Sequence, residues 1–181
     1  DVQQLLNIGR FEEAGMKLEE LVKDRPTPQI WNMLAVVRAQ QGRFAEAVRL
    51  FREILTQDPN NIDVTANLAV ALANNDQFEE AEPLFTQALQ KRPDHSTALP
   101  GYGELLLLTG RVDQAVATYR KGVEAQPKQA DVRFDLAAAL VVAKKTDEAI
   151  EEYMNARDLI SSQSRPGNAL ARRIALLMAR Q

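Results

Sequence analysis

The 181-residue chain has no cysteine, which excludes a disulfide framework, thiolate chemistry and cysteine-ligated metal. It has one histidine, His95, so metal sites or nucleophile activation that need several imidazoles have nothing to work with. Aromatic residues make up only 6% while Ala and Leu are abundant, a bias toward closely packed helices rather than sheets. No stretch approaches the roughly 18–20 uncharged apolar residues that a membrane span requires, so insertion into a bilayer is not expected. Positive charge is not in excess: the net charge of -3 gives no field that attracts phosphate backbones. The small basic concentration at Arg172, Arg173 and Arg180 does not make a nucleic-acid reader. No signal-peptide pattern opens the chain, which starts at Asp1 as a processed protein or an excised fragment would. Lack of cysteine suits cytoplasm and bacterial periplasm alike, so the compartment stays open.

What is present is ordinary in amount and unusual in order. Hydrophobic residues are 45% and charged residues 26%, as in a folded soluble protein. Prolines fall at Pro26, Pro59, Pro93 and Pro127, spaced by 33, 34 and 34 residues. Ala14, Ala47, Ala81, Ala115 and Ala149 keep that beat, each followed four residues later by Leu18, Phe51, Phe85, Tyr119 or Tyr153. Leu34, Leu68, Tyr102, Leu136 and Leu170 recur every 34 residues, each followed by a small residue. A fixed period of this length signals a repeat architecture.

Each unit reads as two antiparallel helices. Ile30, Met33, Leu34 and Val37 have helical spacing within Gln29–Gln41, and Gly42 ends that helix. Phe44–Gln57 carries Phe44, Ala47, Val48, Phe51, Ile54 and Leu55 on one stripe, and Asp58-Pro59-Asn60-Asn61 is turn chemistry. Small residues such as Ala35 and Ala47 let the two backbones approach closely.

These residues resemble the tetratricopeptide repeat family over essentially the whole chain. The second unit is nearest its pattern, with Trp31, Leu34, Ala35, Gly42, Ala47, Phe51 and Pro59 in place. The resemblance implies an all-α fold, a right-handed superhelical solenoid of stacked antiparallel helix pairs forming one domain. In that frame 28–61, 62–95, 96–129 and 130–163 are full repeats, 1–27 a partial one and 164–181 a terminal helix. Departures are informative. Pro100 and Gly101 predict a late or distorted start to the fourth first helix. Pro83 is expected in a first helical turn, where a missing N–H costs little. Lys144-Lys145-Thr146 replaces a glycine turn, and Ser161 stands where a fifth proline was due. Arg133 occupies the register of Trp31, and the sequence offers no reason for it.

A search for chemistry finds no catalytic constellation, no cofactor motif and no metal-ligand set. His95 beside Asp94 reads as a solvated turn, with no second ligand at suitable spacing. Glu12-Glu13, Glu79-Glu80 and Glu151-Glu152 are adjacent on helices, point apart, and suit helix N-termini. Gly101-Tyr102-Gly103 lacks the strand and third glycine of a phosphate loop. The aromatics Trp31, Tyr102, Tyr119 and Tyr153 fall on core registers rather than forming a stacking platform. The chain is not read as an enzyme.

The resemblance implies a protein or peptide partner held in a groove lined by first helices. Its lining would be Asn32, Val36 and Gln40, then Asp63, Val70 and Asn74, then Glu104, Asp131, Phe134 and Val141, and finally Asn168 and Arg172. Amides there could bond a peptide backbone, Phe134 and Val141 would offer apolar contact, and Asp63, Glu104 and Asp131 would face positive charge. Family members that clamp a chaperone's C-terminal carboxylate need Lys and Asn on one helix, Asn on the next and two basic residues on the third. Asn32, Val36, Asn67, Thr97 and Gly101 stand there instead, and only Asn67 matches, so no such clamp is expected. The function implied is a protein-interaction scaffold or adaptor. The alternative is an assembly module that self-associates or docks through its terminal helices, where Val2, Leu5, Leu176 and Leu177 leave apolar surface.

Overall fold

Proline and glycine punctuation sets the lengths of the elements. The computed structural model describes residues 1–163 and is all-helical over that range. Its helices are α1 (Val2–Asn7), α2 (Phe11–Asp24), α3 (Pro28–Gln40), α4 (Phe44–Gln57), α5 (Ile62–Asn74), α6 (Phe78–Lys91), α7 (Ala98–Leu108), α8 (Val112–Ala125), α9 (Ala130–Val142) and α10 (Thr146–Gln163). Helices α2, α4, α6 and α8 each run 14 residues and stop just before Pro26, Pro59, Pro93 and Pro127. Proline cannot continue the hydrogen-bond ladder. With Ser161 in place of a proline, α10 runs 18 residues.

The turn inside each pair is one motif used throughout. Gly9, Gly42, Asp76, Gly110 and Lys144 all have φ between 59° and 75°. At each turn the positive-φ residue's N–H bonds three residues back, and the next N–H reaches the same helix's last turn, as Arg43 does to the Arg38 carbonyl at 2.8 Å. That is the Schellman arrangement. Lys144 therefore takes up the glycine conformation without being glycine.

A side-chain acceptor tethers the starts of α3, α5 and α7, whereas α9 starts after Gln129 without one. Thr27 Oγ1 accepts from Ile30 N at 3.3 Å, and Asn61 Oδ1 accepts from Val64 N at 3.1 Å. His95 stands at the same register; its Nδ1 accepts from Thr97 N at 3.1 Å and Ala98 N at 3.3 Å. The expectation of a solvated turn is thus corrected: His95 is 4% exposed and tethers the start of α7. Helix α7 does begin two residues later than the beat of α3, α5 and α9, as Pro100 and Gly101 imply. Pro83 is a second correction, since it lies in the interior of α6 rather than its first turn. It removes the N–H that would bond the Glu79 carbonyl.

The chain forms two compact units, Asp1–Lys91 and the part from Arg92 onward. In the first, α1/α2, α3/α4 and α5/α6 are hairpins, each helix packs on the next, and α3 also touches α5. Ala14, Ala35, Ala47, Ala69 and Ala81 are fully buried between them, with Leu18, Phe51 and Phe85 filling the space beside. In the second, α7/α8 and α9/α10 repeat that arrangement, and α7 touches α9. Leu106, Ala115, Val116, Tyr119, Leu136, Ala139, Leu140 and Ala149 form its core. Both units are α-α solenoid segments, since no helix pair could bury its apolar stripe alone.

Candidate functional site

In the first unit, α3 buries Leu34, Ala35, Val37 and Arg38. Residues one helical turn apart on its other side, Asn32, Val36 and Gln40, make a separate row. Asn32 and Val36 are half-buried and Gln40 is exposed. On α5, Asp63 and Asn74 are exposed and Val70 is half-buried. The Asn74 amide donates to the Val70 carbonyl at 2.9 Å, so it is partly engaged by its own helix. Pro28, Gln29, Asn32, Ile54, Asn61, Asp63 and Val64 line a recess of about 240 Å³ where α3 and α5 begin. Asn32 Oδ1 is shielded from solvent and accepts no hydrogen bond. A shielded, unsatisfied amide oxygen costs about 1–3 kcal/mol, which a donor placed in the recess would return.

In the second unit the corresponding row of α7 and α9 is acidic. Glu104 and Asp131 are exposed, and Val141 is half-buried against the core. Phe134 requires correction: it is 2% exposed, packs on Ala156, and meets the Tyr153 ring edge-on at 5.6 Å. It holds α9 to α10 and offers nothing to a ligand. The residue missed by the sequence reading is Asp135. Burial pushes its carboxyl up to about 7, and the negative charges of Asp131 and Glu104 add to the effect. The Tyr119 phenol is pushed up as well, by burial first and then by Asp135 and Glu104. A signal was available, since Asp135 follows Asp131 by one helical turn and replaces Gly101 of the preceding first helix.

Arg133 now has its reason. Its guanidinium bonds Glu152 at 2.7 Å and the Pro127 carbonyl at 3.1 Å, clamping the turn before α9 to α10. Among the described residues no group of three or more His, Cys, Asp or Glu could hold a metal ion, and no helix is long and apolar enough to cross a membrane. Asn168, Arg172 and the expected terminal helix 164–181 lie outside the described residues.

Comparison with known proteins agrees with this architecture. Profiles described as tetratricopeptide repeat match residues 38–83 and 74–133, and another of that description matches 109–169. No curated protein is matched by the sequence. Among solved structures, a thermophilic TPR protein of Thermus thermophilus is 20% identical with a TM-score of 0.80, covering 98% of this chain and 95% of that one. MamA from Desulfovibrio magneticus RS-1, residues 41 to its end, is 21% identical with a TM-score of 0.71, covering 91% and 93%. At such identities the likeness is one of fold.

Proposed function

Since the chain belongs to the tetratricopeptide repeat family, whose fold serves protein interaction, we propose that it is a scaffold holding a partner polypeptide against its first helices. We take 28–61, 62–95, 96–129 and 130–163 as the full repeats, because the 34-residue beat of the sequence runs through all four. The observation that carries the reading is the Asn32 recess. A shielded amide oxygen without a donor, beside the exposed carboxylate of Asp63, suits a peptide backbone N–H with positive charge next to it. In the second unit the exposed carboxylates of Glu104 and Asp131 continue that preference for a cationic segment. Asn168 and Arg172 are added to the proposal from the sequence register alone.

The test is site-specific photo-crosslinking in a lysate followed by mass spectrometry. A crosslinker at Gln40 or Asn74 should capture a partner, and Asn32→Ala with Asp63→Lys should remove that capture. Capture only from second-helix positions such as Arg49 or Glu53 would defeat the reading.

One observation favours a second reading, an assembly module that joins copies or docks on other domains through its ends. Ile8 is 61% and Met16 58% exposed. Val2 and Leu21 line an open recess of about 540 Å³ at the first hairpin. Light scattering over a concentration series, with Met16→Glu and Leu21→Glu as variants, separates a self-associating chain from a monomer.

A further inference from the structure

The last residue of each first helix stands at one structural position, and that position is exposed throughout. Asn7, Gln40 and Asn74 end α1, α3 and α5, whereas Leu108 and Val142 end α7 and α9. The side chain changes from amide to aliphatic between the first unit and the second. Leu108 is 66% and Val142 53% exposed. The preceding position changes in the same sense, from Ala39 and Ala73 to the half-buried Leu107 and Val141. Helix α7 touches α9, so these residues make one apolar edge of the second unit.

The first unit builds its hairpins with amides at this position, so helix packing asks for nothing apolar there. An exposed aliphatic gains nothing from folding, and contiguous exposed apolar surface marks an interaction site. Charge brackets the edge on both sides. Exposed Glu104 lies one turn before Leu108 on α7, in the register of Val36 and Val70. Exposed Lys144 follows Val142 by two residues and takes the left-handed backbone found at Gly9, Gly42 and Gly110. The equivalent turn of the first unit carries Asp76, of opposite sign. Neither Glu104 nor Lys144 has an ion pair among the described residues. A side chain retained despite backbone strain points to a use, and what Lys144 has that glycine lacks is an exposed charge.

Resting on the scaffold reading above, we propose that the ends of α7 and α9 are the apolar anchor of the docking surface. Its occupant is a partner segment with two aliphatic side chains set between a cationic and an acidic one. The aliphatic pair lies on Leu108 and Val142, the cation meets Glu104 and the acid meets Lys144. Burial of the aliphatic pair supplies most of the affinity. The flanking charges select the partner and make its binding salt-sensitive. The second unit, and not the first, holds the anchor, because Gln40 and Asn74 present amides at the same place.

The experiment is a methyl NMR titration of the full chain with a blocked octapeptide, Lys-Ala-Ala-Leu-Leu-Ala-Ala-Glu. Its companion probe has Gln at both ends. The charged peptide should shift the methyls of Leu107, Leu108, Val141 and Val142 saturably. Leu108→Gln with Val142→Asn installs the side chain types that the first unit already uses at this position, so the double variant keeps its fold, which its spectrum verifies. It should weaken binding about tenfold, as expected for two lost aliphatic contacts. Lys144→Gly relieves a left-handed backbone, so the loss it causes, about two- to threefold, reports the charge alone. Equal binding of the Gln-ended peptide, unchanged binding by the double variant, or no saturable shift overturns the proposal. Shifts confined to Val36 and Val70 overturn it while leaving the scaffold reading in place. Shifts at Leu108 and Val142 that grow with protein concentration, without peptide, assign the surface to a second copy and also overturn it.

Discussion

Arg38 and Gly15 are a matched pair: a Cβ placed on Gly15 would lie 2.9 Å from the Arg38 Nη1 atom. Arg38 occupies the register at which Leu72, Leu106 and Leu140 fill the core, yet it is only 4% exposed. Its guanidinium is held by Glu19, by Gln41 Oε1 at 2.7 Å and by Glu46 at 3.3 Å. Gly15 stands where later repeats have Val48, Glu82, Val116 and Ile150, and its missing side chain is the space into which the guanidinium fits. A buried cation here is tolerated because each guanidinium nitrogen has a partner and because its neighbour is small.

The pair predicts a double-mutant cycle. Gly15→Ala gains helix propensity but displaces a pinned guanidinium, for a net loss of about 1 kcal/mol. Arg38→Leu alone strands Glu19 and leaves a gap at Gly15. Arg38→Leu with Gly15→Val recreates the combination of Val48 with Leu72 and Val116 with Leu140 and should recover most of the loss. Denaturant unfolding of the four proteins measures the coupling, and strict additivity would refute the pairing.

Gly103 faces the hydroxyl end of the Tyr119 ring so closely that a Cβ would lie 2.2 Å from its Cζ atom. Gly103→Ala should therefore cost about 2–3 kcal/mol, read as a lower unfolding midpoint. Tyr119→Phe loses only the bond from the hydroxyl to the Pro100 carbonyl at 3.2 Å, about 1 kcal/mol.

Asp135 predicts a specific pH dependence. Its carboxyl is held up to about 7 in the folded chain, against an ordinary unfolded value near ~3.9. Between those values the native state binds the extra proton, so this residue favours folding most below pH ~4 and loses that advantage as pH rises through about 7. Asp135→Asn should raise stability at neutral pH by roughly 1–3 kcal/mol and remove that segment of the pH profile. The measurement is the difference in unfolding free energy between the two proteins from pH 4 to pH 8. A difference that stays flat across that range would refute the assignment.

Lys144 has φ 59°, in the region glycine occupies at Gly9, Gly42 and Gly110. Relief of its left-handed backbone outweighs the added freedom of the unfolded chain, so Lys144→Gly should stabilise by about 0.5–1 kcal/mol. The reverse change, Gly42→Lys, should destabilise by a similar amount. Thermal melts of both variants check the sign.

The sequence by itself determined the helix pairs, their turns and the alternation of first and second helices. Those follow from where proline stops a ladder, where glycine turns it, and which residues recur on one stripe, all of which are local. Phe44–Gln57 was legible to the residue for that reason. Tertiary structure alone decided what each side chain meets. Phe134 lies on the first-helix row by register, but the ring of Tyr153 and the small Ala156 draw it into the core. His95 is polar and sits in a turn, yet its burial and its bonds to Thr97 N and Ala98 N arise from the chain closing around it. Arg38, Arg133 and Asp135 share that logic. A charge's cost depends on which partners and how much water the fold leaves beside it, and neither quantity is written in the spacing of residues along a chain.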